Sequence, residues 1–243
     1  MQDFFIYGKH PIFILLQNQK RNIKKIYTSN FDILIDFIKK NKININKNII
    51  EKKSNQEITK ILKDDVNHQG FLAVVGERKN LDLYDFIKNE CEDKDNLPRL
   101  IILDQLTDPH NIGAIIRTAL AFGVKYIITT KFNSAKDSAI ITKTSAGLSE
   151  MIDLIEVVNL NRTIEELKKV GYFVIGMAGE AKINLKTITD SKNLCLIVGN
   201  EGNGIRQLVK KNCDILAKIE MENNVESLNV SVATAIAIYQ LWA

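Results

Sequence analysis

From Arg99 onward the sequence alternates short apolar runs with amphipathic stretches, and this rhythm restricts the fold more than any other feature of the chain. Leu100–Leu103 is an apolar run with polar bounds, as expected of a strand buried on both faces. Asn111–Phe122 reads as a helix closed by Gly123, a residue suited to the left-handed position after a helix end. Further strands are predicted at Lys125–Thr129, Leu154–Val158, Tyr172–Gly176 and Leu194–Val198, and helices at Asp137–Ser145 and Arg162–Val170, the latter ended by Gly171. Such alternation predicts a mainly parallel sheet covered on both faces, an α/β fold.

The N-terminal third differs. It is rich in Ile, Lys and Asn, and its elements are short: helices near His10–Gln19, Asp32–Lys40 and Gln56–Leu62, strands at Lys24–Thr28 and Gly70–Val75. A polar stretch, Gly76–Pro98, follows and reads as a hinge carrying a short helix. The expected division is a small α/β domain over residues 1–78, a linker over 79–98 and a larger α/β domain over 99–243. With 243 residues the chain can bury one large core and a satellite. Its net charge of +4 suits an RNA partner without demanding one.

Cys91, Cys195 and Cys213 show neither CxxC pairing nor metal-ligand spacing with the histidines, so reduced packing cysteines and no metal are expected. The start MQDFFIYGKHPIF has no basic segment followed by an apolar one and a small-residue cleavage site. No apolar run approaches the roughly 20 residues of a membrane span. A cytoplasmic protein without membrane association is expected.

Ligands of open parallel sheets collect in loops at the carboxyl ends of strands. Three such loops are informative: Asp104–Asn111, Gly176–Glu180 and Gly199–Gly204. The last, GNEGNG, has the order GxxGxG rather than GxGxxG, and it lacks the Lys-Ser/Thr of a P-loop, which argues against dinucleotide or NTP binding. Its glycines would permit positive φ and close approach of a ligand to main chain. Glu201 within the turn suits a site better than a core. Arg117 lies four residues after Gly113 on one helix face and is either functional or simply solvated. His110 receives no catalytic role. Ser227-Leu228-Asn229 opens a final helix, with Ser227 a possible N-cap. The small residues after it would allow close helix packing in a core or at a dimer seam.

DPHNIGAIIRTA, IVGNEGNGI and SLNVSVATAIA resemble, in order and spacing, the three motifs of the SpoU (TrmH) ribose 2′-O-methyltransferases of the SPOUT superfamily. The match covers about residues 99–243. Tyr7–His10 with His68–Phe71 is similar to the N-terminal substrate-binding domain of the subgroup that modifies large-subunit ribosomal RNA, although Pro11-Ile-Phe-Ile departs from its alanine-rich helix start. The resemblance implies a deep C-terminal trefoil knot, S-adenosyl-L-methionine as methyl donor and a homodimer with the active site near the subunit interface. It implies that backbone at Gly199, Ile219 and Leu228 holds the cofactor, with Met177, Ala178, Met221 and Ser227 lining the pocket. Arg117 matches the arginine that activates the ribose hydroxyl, and Asn111, Glu201, Ser227 and Asn229 match the supporting polar residues. Arg117 could act as proton acceptor or as electrostatic stabiliser of an alkoxide. The implied substrate is a guanosine in the peptidyl-transferase region of 23S rRNA. Methylation of tRNA or of another rRNA nucleotide, or a catalytically silent RNA-binding assembly role, are the alternatives.

Overall fold

A computed structural model describes residues 3–18, 20–63, 65–131, 139–189, 192–222 and 227–243. The chain divides into two compact units, Met1–Lys79 with Asp137–Met151, and Asn80–Lys136 with Ile152–Ala243. The first contains β1 (Phe4–Tyr7), α1 (Lys9–Asn18), β2 (Ile23–Thr28), α2 (Phe31–Lys40), β3 (Ile50–Lys52), α3 (Asn55–Leu62) and β4 (Phe71–Val75). The second opens with α4 (Leu83–Glu90), β5 (Leu100–Asp104), α5 (Pro109–Ala121) and β6 (Tyr126–Thr130). After α6 (Ala139–Thr144) and a 3-10 turn at Leu148–Met151, which belong to the first unit, come β7 (Asp153–Val157), α7 (Leu160–Val170), β8 (Phe173–Met177) and β9 (Ile183–Asn184). The chain ends with β10 (Leu194–Gly199), α8 (Gln207–Asn212), β11 (Ile215–Lys218) and α9 (Val230–Trp242).

In the first unit β1-β4-β2-β3 form a mixed sheet in which only the β2–β3 pair is parallel. Ile6, Leu15, Leu16, Ile26, Leu34 and Phe71 are buried together beneath it. Residues 139–151, expected in the larger domain because they lie between β6 and β7, pack here instead. Gly147 has φ +87°, and a Cβ there would come within 2.5 Å of the Pro11 Cα, so the turn presses directly on α1. Arg21 Nη1 meets Glu150 Oε1 at 3.3 Å with both side chains almost wholly buried.

The second unit holds a seven-stranded sheet, β7-β6-β5-β10-β8-β11-β9, with every adjacent pair parallel. β5 and β10 are buried at every position, which explains why they read as continuous apolar runs. Helix α5 starts where Asp108 accepts the amide of His110 and Pro109 occupies the first turn, a position that needs no amide proton. It ends at Phe122, and Gly123 takes φ +77°. Asn159 caps α7, and Gly171 closes it at φ +121°.

Three differences from expectation have plain causes. Phe86 of α4 is fully buried and Cys91 and Leu97 nearly so, and these three anchor residues 80–98 to this unit's core; their polar, mostly exposed neighbours hid the few apolar anchors. β9 and β11, two and four residues long, were too short for periodicity to reveal. The predicted helix over Asp137–Ser145 is observed over Ala139–Thr144, its first two residues lying outside the described set.

Candidate active site

The strand register of the second unit brings its informative loops to one edge. Gly199 lies opposite Asp104 where β10 pairs with β5, and Ala217 opposite Met177 where β11 pairs with β8. Residues leaving β8, β10 and β11, with the start of α9, enclose a cleft with a cavity volume of about 150 Å³, widely open to solvent. Met177, Ala178, Gly199, Ile219, Met221, Ser227 and Leu228 all line it. Val198, Val230 and Ala233 add apolar surface, and among the described residues Lys218 and Glu201 are the charged members of the lining. Main-chain groups of Ile219, Met221 and Leu228 form no backbone hydrogen bond with another described residue.

The glycine turn is built against itself. Asn200 N donates to Gly204 O at 3.1 Å, and Gly204 N to Asn200 O at 2.8 Å. A Cβ on Gly199 would lie 2.1 Å from the Gly204 carbonyl carbon, so the close approach at this glycine is to its own turn. Gly204 supplies the positive φ, at +63°. The Asn200 side chain accepts from Gly202 N at 2.9 Å and donates to Gln105 O at 3.2 Å, joining the turn to the loop after β5. A second tie escaped the sequence reading. Fully buried Asp104 accepts Arg206 Nε at 2.8 Å and Arg206 N at 3.0 Å. An aspartate ending an otherwise apolar strand was its available signal.

At the rim, Glu201 Oε1 accepts the side-chain amides of Asn111 and, at 3.2 Å, Asn229. Asn229 Nδ2 also donates to Asn111 Oδ1 at 3.0 Å, and Asn111 Nδ2 to Asp108 Oδ2 at 3.0 Å. Three residues far apart in sequence therefore form one polar cluster. Asn229, not Ser227, caps α9: its Oδ1 accepts Ser231 N at 2.9 Å and Val232 N at 3.4 Å. Ser227 lines the cleft three residues before the first residue of the helix. The cap needs the residue immediately before the first helical turn, and Asn holds that place.

Arg117 stands apart from the cluster, exposed on α5 and without a hydrogen bond or ion pair among the described residues. His110 is exposed near the α5 start, its amide bound by Asp108. Burial pushes the Cys195 thiol well above its usual range and the Cys213 thiol up to about 11, so neither offers a thiolate nucleophile at neutral pH. The Lys210 ammonium hydrogen-bonds Glu180 beside the cleft loop and holds that carboxyl below its ordinary range. No group of three or more potential metal ligands occurs among the described residues.

The whole chain shares its fold with solved methyltransferases. The AdoMet-bound rRNA methyltransferase of Sinorhizobium meliloti superposes with a TM-score of 0.79 at 22% identity, over 98% of this chain and 86% of that one. The SpoU methyltransferase AviRb of Streptomyces viridochromogenes, solved with AdoMet, gives 0.78 at 18% identity over 98% and 89%. Residues 98–239 match the model of the SpoU rRNA methylase family, and residues 5–81 match that of an RNA 2′-O ribose methyltransferase substrate-binding domain. The chain belongs to the SpoU rRNA methylase family. It is 35% identical to the 23S rRNA (guanosine-2′-O-)-methyltransferase RlmB of Haemophilus ducreyi over 97% of this chain and 96% of that protein. It is 34% identical to a putative TrmH family tRNA/rRNA methyltransferase of Staphylococcus haemolyticus over 100% and 96%.

Proposed function

We propose that this protein methylates a ribose 2′-hydroxyl of RNA with S-adenosyl-L-methionine as donor, the acceptor being a guanosine in the peptidyl-transferase region of 23S rRNA. The reading rests on one coincidence: an apolar cleft with open main chain adjoins the Asn111–Glu201–Asn229 cluster at a single sheet edge. The RlmB relatives, named for 23S rRNA guanosine methylation, support the choice of acceptor.

The cleft fits the cofactor chemically. Free backbone at Ile219 and Leu228 can read an adenine edge, Gly199 closes the floor, and Met177, Ala178, Met221 and Ser227 form walls. Among the described residues the lining carries one lysine and one glutamate, a balance that tolerates a cationic sulfonium. When bound, S-adenosyl-L-methionine supplies a methyl group made electrophilic by its positive sulfur. Holding acceptor and donor in line contributes much of the acceleration, about 7–11 kcal/mol for well-aligned groups.

Asn111 and Asn229 fix one oxygen of Glu201, and its Oε2 accepts from no other described residue, so it can orient the ribose hydroxyl. Arg117 has no counter-ion among the described residues, and a guanidinium offers donors but no acceptor atom. Its role is electrostatic: it stabilises the developing alkoxide.

Arg117 reaches a site by way of a homodimer. α9 is apolar nearly all round, yet Val232, Ile236 and Tyr239 are exposed at helical spacing, and α9 packs against α5, which carries Arg117. A helix of that kind is normally covered. Pairing through this face would present Arg117 to the partner's cleft. The trefoil knot is the threading that the interleaved order β5-β10-β8-β11 supports. An RNA substrate, and the absence among described residues of any helix able to cross a membrane, support a cytoplasmic location.

The test uses the full chain, labelled S-adenosyl-L-methionine and an unmethylated 23S rRNA transcript, with the modified nucleotide mapped by mass spectrometry. One ribose-methylated guanosine is expected. Methylation of tRNA alone would move the acceptor, and absence of cofactor binding in a calorimetric titration would leave the silent assembly role.

A further inference from the structure

We infer that Arg206 is a phosphate-binding arginine for the RNA, held ready by the buried carboxylate of Asp104; this rests on the RNA-methyltransferase reading. Asp104 ends β5 and is fully buried, and both its oxygens are occupied by Arg206, one by Nε and one by the backbone amide. A buried carboxylate is costly unless paired and hydrogen-bonded, so the pairing fixes the arginine in place. Only Nε is consumed. Nη1 and Nη2 make no hydrogen bond or ion pair with another described residue, and the side chain is 44% exposed. The outward edge is therefore a planar fork of donors, the geometry that matches phosphate oxygens.

Other arginines of this unit lack the combination. Arg99 spends Nη1 on the Phe122 carbonyl at 2.5 Å. Arg162 pairs through Nε with Glu166, but both groups are at the surface, where such a pair restrains little. Arg206 is anchored by a group that water does not reach, so most of the entropy of ordering a long side chain is lost on folding rather than on binding RNA.

Placement supplies the ligand. Arg206 ends the turn that carries Glu201, and Asp104 is in register with Gly199 on the cleft floor. A strand that presents a ribose to Asn111 and Glu201 carries a phosphate on either side of that ribose. A positioned guanidinium on the same edge is suited to hold one of them.

The experiment measures retention of the unmethylated 23S rRNA transcript across a salt series for the wild type, Arg206→Ala and Arg206→Lys, with S-adenosyl-L-methionine affinity read by calorimetry. Arg206→Ala is expected to weaken RNA binding about tenfold and to flatten the log–log salt slope by about 0.7–0.9, the share of one phosphate contact. Cofactor affinity should hold. Arg206→Lys, which keeps the charge and a partner for Asp104, should retain the slope while losing part of the affinity. RNA affinity and slope unchanged in both folded variants would overturn the inference, as would a loss of cofactor affinity that parallels the RNA effect. A wild type that binds the transcript but transfers no methyl group would sink the proposed function instead, and the retention data would still decide the role of Arg206.

Discussion

The two units carry cavities of opposite character. The groove of the first is lined by Lys20, Arg21 and Lys79 against Glu77, with asparagines and one aliphatic wall. The cleft of the second balances Lys218 against Glu201 and is otherwise mostly apolar side chain and main chain. Charge follows the same division. Residues 1–79 with 137–151 hold sixteen Lys and Arg against ten Asp and Glu, a net +6, while the remainder holds seventeen against nineteen, a net −2. The chain's mild overall basicity therefore conceals a strongly basic small unit. A polyanion is attracted to one part of the molecule, and a cationic cofactor is accepted in the other.

The contrast breaks first at Arg117. Arg117→Ala should lower methyl transfer by about 10³-fold, the scale for losing an electrostatic contact made in the transition state. Cofactor affinity measured by calorimetry should be nearly unchanged, because Arg117 lines no part of the cleft. Equal loss of both would remove it from the chemistry and place it in the fold.

Gly199→Ala ranks next. The added Cβ would meet backbone of Gly204 and Ile205 at 2.1–2.3 Å, so the turn must shift and the cleft floor with it. Overpacking of this kind costs about 1–3 kcal/mol, and cofactor affinity should fall about tenfold or more. Gly202→Ala is the control in the same turn, since the nearest atom to its Cβ is 3.6 Å away. Similar losses from both substitutions would mean that turn flexibility, not the Gly199 contact, maintains the cleft.

The parallel sheet was legible because β5 as far as Leu103 and all of β10 are apolar, and because α5 and α7 have clear caps and glycine stops. Of the seven cleft residues, Met177, Ala178 and Gly199 lie in loops that the strand-end rule marks, whereas Ile219 and Met221 were legible only through resemblance. Nothing in the local sequence of Ile219 or Met221 marks them, since their importance comes from main chain exposed after a four-residue strand. Membership of residues 139–151 in the first unit was not legible at all. It depends on Gly147 pressing against Pro11 and on Glu150 meeting Arg21, contacts between segments more than 120 residues apart. Arg206 was missed for a related reason: an exposed arginine after a turn looks solvated until the buried aspartate beneath it is seen.

Helix starts extend the comparison to smaller effects. Ser54 and Glu57 cap α3 reciprocally within the first unit, whereas Asn229 caps α9 while also holding Glu201. Ser54→Ala should cost about 1 kcal/mol of stability in denaturant unfolding. The backbone and hydroxyl of Ser54, then Lys53, hold the Glu57 carboxyl down at about 2. A folded pKa below the ordinary value near 4.5 means that its contribution is complete above that value and is lost as pH falls towards 2. The wild type should therefore lose this increment between pH 4.5 and 2, and Glu57→Gln should show a flatter stability profile across that window. Identical profiles would show that the cap adds nothing that depends on charge.

The least change is expected where the two cavities are compared directly. Lys20→Ala combined with Lys79→Ala removes two cations from the groove and no residue from the cleft. Surface changes of this kind usually stay within about 0.5 kcal/mol, so the dissociation constant of S-adenosyl-L-methionine should move by less than about twofold. Retention of the rRNA transcript should weaken, and its salt slope should flatten, if the groove's charge contributes to RNA capture. The two cavities then respond to different ligands, as their linings require. Cofactor affinity that falls as far as in Gly199→Ala would mean that the basic unit shapes the cleft itself, and the division of charge between the units would lose its functional meaning.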